Sequence, residues 1–154
     1  MISKTTSSTK VLIIDDDRDD CDLFAEALSD LNAETECYCA CDGAIGIQKI
    51  MEDQIERPDI IFLDINMPVM DGWECLSKLK SSDKHNDIPV IMHTTSSLNA
   101  DKDQARKLGA LCFVTKQSDF KILKRMLEIV VNKITKQEFE TLCQEIYRSL
   151  HLAN

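Results

Sequence analysis

The chain has no apolar run that could cross a bilayer: unbroken stretches such as 11–14 (VLII) and 60–63 (IIFL) fall far short of the roughly 20 residues a spanning helix needs. The start, MISKTTSSTK, lacks the apolar stretch of a secretory signal. Both absences exclude a membrane partner by these routes and make the cytoplasm the expected address. No CxxC pair occurs among Cys21, Cys37, Cys39, Cys41, Cys75, Cys112 and Cys143. Their number is odd and a chain of this length needs no staples, so all seven are expected to be reduced. The run CYCAC sets three thiols on alternate positions, as a soft-metal site could. With no fourth ligand nearby, a strand with one face of small apolar cysteines fits better. Positive charge is scarce too: the net charge is −9, which argues against nucleic acid as a partner. Lys121, Lys124, Arg125, Lys133 and Lys136 then read as the solvated face of a helix.

What is present is an ordinary globular composition over 154 residues, enough for one domain with a sizeable core. Short apolar runs at 11–14, 60–63, 90–93 and 111–114, with a weaker alternating one over 34–40, are each followed by a stretch of helical period. Continuous apolar runs imply strands buried on both faces, hence a parallel sheet covered by helices. Boundary signals support the helices. Asp71 is an N-cap with Glu74 three positions on, followed by Trp73, Leu76 and Leu79 on one side. Gly109 stops the helix that starts after Ser97, and Phe120, Leu123, Leu127 and Val130 form the core stripe of a fifth helix. A sixth is expected over 135–150, with Thr135 as N-cap, Glu138 closing the box, Ile134 stapled to Phe139, and Phe139, Leu142, Ile146 and Leu150 along one side. The organisation is therefore a loose tail over 1–9, a domain over 10–132 and a helical extension over 133–154, expected to pack back on the domain.

The segment VLIIDDDRDD concentrates acid where a strand ends. Two carboxylates about 4 Å apart repel by roughly 4 kcal/mol at an effective dielectric near 20, so the cluster must be solvated, half-protonated or holding a cation. In an open parallel α/β sheet, ligands sit beyond the carboxyl ends of the strands. Asp15, Asp16 and Asp17 follow the first strand, Asp64 the third, Thr94 and Thr95 the fourth, and Lys116 the fifth. Carboxylates at that density, without thiolate or imidazole company, suit Mg²⁺.

The segments VLIIDDD, IIFLDINMPVMDG, IPVIMHTTSS and GALCFVTK resemble, in order and spacing, the signature segments of the receiver domain of bacterial two-component response regulators, over about residues 10–132. The triple aspartate and TTS look most like the small stand-alone receivers of chemotaxis and phytochrome-linked regulators. The resemblance implies a flavodoxin-like, doubly wound sheet of five parallel strands in the order 2-1-3-4-5, plus the extra C-terminal helix. It implies that Asp64 accepts a phosphoryl group from a phosphohistidine, that Asp16 binds Mg²⁺ directly with Asp15 assisting through water, and that the backbone carbonyl of Asn66 completes the set with Asp64. Lys116 would pair with the phosphoryl oxygens, Thr94 would hydrogen-bond one of them, and Phe113 would swing inward in response. The implied partners are a sensor histidine kinase or histidine phosphotransfer protein and an unidentified downstream protein, with the chain a monomer or weak homodimer and no enzyme beyond its own phosphorylation and dephosphorylation. No further cofactor is implied.

The chain also departs from the family. Gln117 stands where proline usually follows the lysine, so that bond is either trans or strained. Gly46 replaces a usual alanine, Arg18 a frequent proline, and Phe113 lacks a tyrosine's hydroxyl. Other readings compete. One of the clustered aspartates is expected to cap the first helix in any case, and His93 is expected to be a packed core residue. A pseudo-receiver that binds without being phosphorylated is one alternative. A phosphatase of the haloacid dehalogenase type, with Asp15 as nucleophile and Asp17 in its DxD pair, is another.

Overall fold

In the computed structural model, which describes residues 8–31 and 34–152, strand and helix alternate: β1 (Thr9–Ile14), α1 (Arg18–Leu31), β2 (Thr35–Ala40), α2 (Gly43–Met51), β3 (Ile60–Leu63), α3 (Gly72–Lys80), β4 (Val90–Thr94), α4 (Asn99–Lys107), β5 (Cys112–Thr115), α5 (Phe120–Lys136), a 3-10 turn (Phe139–Thr141) and α6 (Leu142–Leu152). The strands form one parallel sheet in the order β2-β1-β3-β4-β5, the flavodoxin-like arrangement. Every residue of β3 and β4 is buried, which is why those runs are continuously apolar. Successive side chains still point to opposite faces. Val11, Ile13 and Phe62 pack with Phe24 and Leu127 on the α1 and α5 side, and Leu12, Ile14, Ile61 and Leu63 with Leu76 and Ile47 on the other. The edge strand β2 is mostly half-exposed, with Ala40 its one buried residue. Gly46 has its reason here, since a Cβ at that position would come within 2.8 Å of Ile14 Cδ1, so its absence lets α2 settle on β1.

Aspartates cap α2, α3 and α5, whereas α4 starts after Leu98 without a side-chain cap. Asp71 Oδ1 accepts from the Glu74 N–H at 3.0 Å, and Gly109, at φ +94, follows α4. The end of the chain differs. Thr135 is inside α5, its hydroxyl donating to the Val131 carbonyl at 2.9 Å, and the helix stops at Gln137 in the left-handed conformation. α6 therefore starts at Leu142, not at 135. The capping-box spacing was satisfied by a threonine that could equally bond back within a helix, and Glu138 turns its carboxylate to Lys133 at 3.0 Å. The expected apolar side survives: Leu142 and Ile146 are fully buried, with Phe139 and Leu150 packed against the same core. Lys133 is not on a solvated face but buried, paired with Glu138 and, at 2.9 Å, with Glu145. Most of the expected tail, residues 1–7, lies outside the described residues. Ser8 and Thr9 are not loose: Ser8 Oγ donates to Glu36 at 2.7 Å, and Thr9 opens β1.

The cysteines give a second correction. Cys112 and Cys143 are joined in a disulfide, so not all seven are reduced. They lie 31 residues apart and meet because α6 crosses the start of β5, a contact no local spacing announces. Residues 37–40 of the CYCAC run lie in β2, with Cys41 just beyond it and Cys39 and Cys41 exposed; Cys37 Sγ is 4.0 Å from Cys39 Sγ and Cys39 Sγ 3.9 Å from the Cys21 carbonyl.

His93 is a packed residue as expected, buried edge-on against the rings of Phe24 and Phe62 at 5.9 and 6.0 Å. Burial, then the nearby Lys116 charge, pull its pKa down to about 3. The folded protein therefore keeps it neutral where the unfolded chain protonates it, and stability falls as pH drops below the ordinary histidine value. His93→Leu should flatten the fall by about 1 kcal/mol per pH unit between about pH 6.5 and pH 4, measured as urea-unfolding free energies of both proteins; parallel curves would refute this. A different constraint fixes Gly72. A Cβ there would lie 2.1 Å from the Asp64 carbonyl oxygen and 2.7 Å from Ile65 Cα, so the glycine lets α3 start against the β3 loop. Gly72→Ala should destabilise the protein by about 1–3 kcal/mol in the same assay, whereas unchanged stability would show that the loop yields freely.

Candidate functional site

The carboxyl ends of β1, β3, β4 and β5 meet at one edge of the sheet. Register does this: Ile14 lies opposite Leu63, so Asp15 and Asp64 leave their strands at one level, while Leu63 lies opposite Met92 and Met92 opposite Phe113, so Lys116 stands two residues farther along and reaches back with its long side chain. The Asp64 N–H donates to the Ile14 carbonyl at 3.0 Å and the Lys116 N–H to the Thr94 carbonyl at 2.7 Å, which extends the ladders into the site. Ligand oxygens of Asp15, Asp16 and Asp64 all lie within 4.8 Å of one another. Asp15 is 1% exposed, Asp64 is buried and Asp16 faces solvent.

Asp17, the third acid of the run, does other work. Its Oδ1 accepts from the N–H groups of Asp19 at 3.0 Å and Asp20 at 3.4 Å, which makes it the cap of α1. That separates it from Asp15 and Asp16 and removes the second member of the DxD pair. Asp15 Oδ1 accepts from the Asp17 N–H at 3.0 Å, and Asp64 Oδ1 from the Ile65 N–H at 2.8 Å.

Among the described residues, Lys116 is the cation that pairs with these acids. Its Nζ lies 2.7 Å from Asp15 Oδ2, 2.8 Å from Asp20 Oδ2 and 3.5 Å from Asp64 Oδ2. Asp20 was not singled out from sequence. It stands in the first turn of α1 three residues after the cap, and no spacing in the chain announces that α1 turns this side toward Lys116. Among the described residues no peptide bond is cis, so Lys116 reaches the carboxylates with a trans bond to Gln117. Burial lowers the lysine's pKa, but the carboxylates of Asp15, Asp20 and Asp64 more than offset this and leave it raised. Burial pushes Asp15 up to about 6 against the pull of Lys116 and the Asp17 N–H, with the Asp64 charge adding to the rise.

The donor set fits a hard divalent ion. Asp15 Oδ2 is buried and, although close to the ammonium, has no partner in hydrogen-bonding alignment. The three side chains offer only oxygen, and the charge that burial penalises at Asp15 is the charge such an ion would compensate. Asn66 is exposed in the loop two residues after Asp64. Thr94 is fully buried at the end of β4, its Oγ1 accepting a long bond from the Ser96 N–H at 3.4 Å. Thr115 Oγ1 donates to the Ser96 carbonyl at 3.0 Å, tying the loop after β4 to β5. Phe113 is buried, in the same core as Met92 and Ala105.

Known proteins share the sequence pattern and the fold. The response regulator Rcp1 of Synechocystis sp. is 29% identical over 122 residues, which cover 77% of this chain and 83% of that protein. Among solved structures, the phosphorylated cyanobacterial phytochrome response regulator RcpA aligns with a TM-score of 0.78 at 26% identity, over 84% of this chain and 96% of that one. The Mn²⁺-bound form of Rcp1 aligns with a TM-score of 0.71 at 28% identity, over 78% and 89%. The family pattern described as the response regulator receiver domain matches residues 11–128, and the chain belongs to that family.

Proposed function

We propose that this receiver is a phosphorylation-driven switch in which Asp64 takes a phosphoryl group from the phosphohistidine of a sensor histidine kinase or histidine phosphotransfer protein. The observation that carries this reading is the convergence of Asp15, Asp16 and Asp64 within one ion's reach, with Lys116 beside them. A lone pair of the Asp64 carboxylate attacks phosphorus as the bond to the donor imidazole, protonated on its other ring nitrogen, breaks, giving an acyl phosphate and a neutral histidine that keeps that proton. Charge spreads over the phosphoryl oxygens in the transition state. Lys116 offsets part of it, and the Thr94 hydroxyl hydrogen-bonds one oxygen of the product. Asp15, Asp16, Asp64 and the Asn66 carbonyl would hold Mg²⁺, which when bound supplies further positive charge at those oxygens.

Residues 10–132 form the switching unit and 133–154 an extension carried on it. The output is a change of surface around α4, β5 and α5, read by a downstream protein or followed by onward phosphotransfer. Thr94 and Phe113 transmit it, the ring being already buried before any phosphate arrives. The protein is a cytoplasmic monomer or weak dimer whose only chemistry is on itself. No described helix is long and apolar enough to cross a membrane. The capping role of Asp17 weighs against a phosphatase built on Asp15.

Incubation with Mg²⁺ and acetyl phosphate, read by intact mass, tests this. Wild type should gain one hydroxylamine-labile phosphoryl adduct, Asp64→Asn none, and Asp15→Asn should label on the order of 100-fold more slowly. An adduct that persists in Asp64→Asn would place the chemistry elsewhere, and no adduct in wild type would make the chain a pseudo-receiver.

A further inference from the structure

A covalent tie joins the sheet to its last helix. Cys112 opens β5 next to Phe113, Cys143 is the second residue of α6, and their sulfurs are bonded. Two non-covalent attachments hold the same helix: Leu142 and Ile146 buried in the core shared with α5, and Lys133 of α5 paired with Glu145. Tyr147, one turn after Cys143, donates a long hydrogen bond to the Phe113 carbonyl at 3.5 Å. α6 thus lies along the outer edge of β5. Between it and α4 runs a groove of about 340 Å³, lined by Ser97, Lys102, Phe113 and Tyr147 with both bonded cysteines in its wall.

The fold does not need this bond. A two-sided sheet core in a chain of this size is sufficient, and Cys21, Cys37, Cys39, Cys41 and Cys75 stay free thiols. Position gives the pair its use. Cys112 is inside at 7% exposed, whereas Cys143 is half-buried on the groove wall and open to an incoming thiolate.

We propose that Cys112 and Cys143 are a reversible thiol–disulfide site, exchanged with a dithiol carrier, that latches α6 over the outer edge of β5. In the closing direction the Cys143 thiolate attacks a sulfur of the carrier's disulfide, forming a mixed disulfide and releasing one carrier thiolate. The Cys112 thiolate then attacks Cys143 Sγ and expels the second. The two electrons and two protons lost by the cysteines end on the carrier's dithiol, and opening is the reverse. When the latch is open, α6 keeps its apolar anchor on α5, through Leu142 and Ile146, but its groove-facing side is released from β5. The inference deepens the switch reading and rests on it in one respect: β5 carries Phe113 and leads directly into Lys116, so the latch sets how far a change at Asp64 reaches the α4–β5 surface.

The test uses the full chain without phosphorylation, equilibrated over a series of reduced and oxidised dithiol buffers, alkylated, and mapped by peptide mass, with amide hydrogen exchange followed at each poise. The 112–143 link should form and open reversibly. On opening, amides of residues 142–152 should exchange about tenfold faster or more while those of β1 and β3 stay unchanged, and Cys143→Ser should match the reduced wild type throughout. Absence of the link at every poise, cross-links confined to Cys21, Cys37 and Cys39, or α6 exchange indifferent to the link would each overturn the latch. Acetyl phosphate labelling of both redox forms keeps the two readings apart. Labelling lost in both forms removes the phosphoacceptor reading and leaves the thiol site standing, whereas intact labelling with redox-indifferent α6 exchange removes the latch alone.

Discussion

One ammonium among four acids is the constraint on which the rest of the molecule depends. Asp15, Asp16, Asp20 and Asp64 crowd a single strand edge, and Lys116 touches three of them. Carboxylates at such separations repel by several kcal/mol, and taking Asp15 out of water adds to the cost. Lys116 meets part of that charge, and the excess of acid that remains is the negative potential that would draw in a divalent ion, whose charge with that of Lys116 would then favour a phosphoryl group. The sheet is built to hold this arrangement. β1 and β3 are neighbours, so Asp15 and Asp64 stand side by side. β5 lies two places beyond β3, a gap that a long lysine side chain can span.

The core and the loops serve the same end. Continuous apolar burial on both faces of β3 and β4 fixes where each strand stops, and so where each functional side chain starts. Gly72 has no side chain because the Asp64 carbonyl occupies the place a Cβ would take. Asp17, chemically identical to its neighbours, is diverted to the α1 cap by its two N–H partners. Identity at a position is thus decided by which backbone donors the local turn presents.

Much of this was legible in the amino-acid order. Strand ends could be read from apolar runs, and the acids, hydroxyl and lysine beyond them followed from topology alone. Asp20 was not legible, because its contribution depends on α1 turning one face toward Lys116. The start of α6 was misplaced because a threonine with a glutamate three residues on satisfies a capping box on paper, while Thr135 bonds back to Val131 inside α5. Lys133 looked solvated because sequence does not reveal that Glu145, on another helix, comes to meet it. The Cys112–Cys143 bond was hidden for the same reason, as both depend on where α6 lies once folded.

The last helix is therefore held to α5 and β5 by three kinds of contact, apolar, ionic and covalent, of which only the first was written as a pattern in the chain. Amide resonances followed during a Mn²⁺ titration show whether Asp15, Asp16 and Asp64 hold a divalent ion. Paramagnetic broadening should begin around residues 15, 16 and 64, spread to 116, spare α6, and disappear in Asp16→Asn. Broadening centred elsewhere, or unchanged in that variant, would contradict the account.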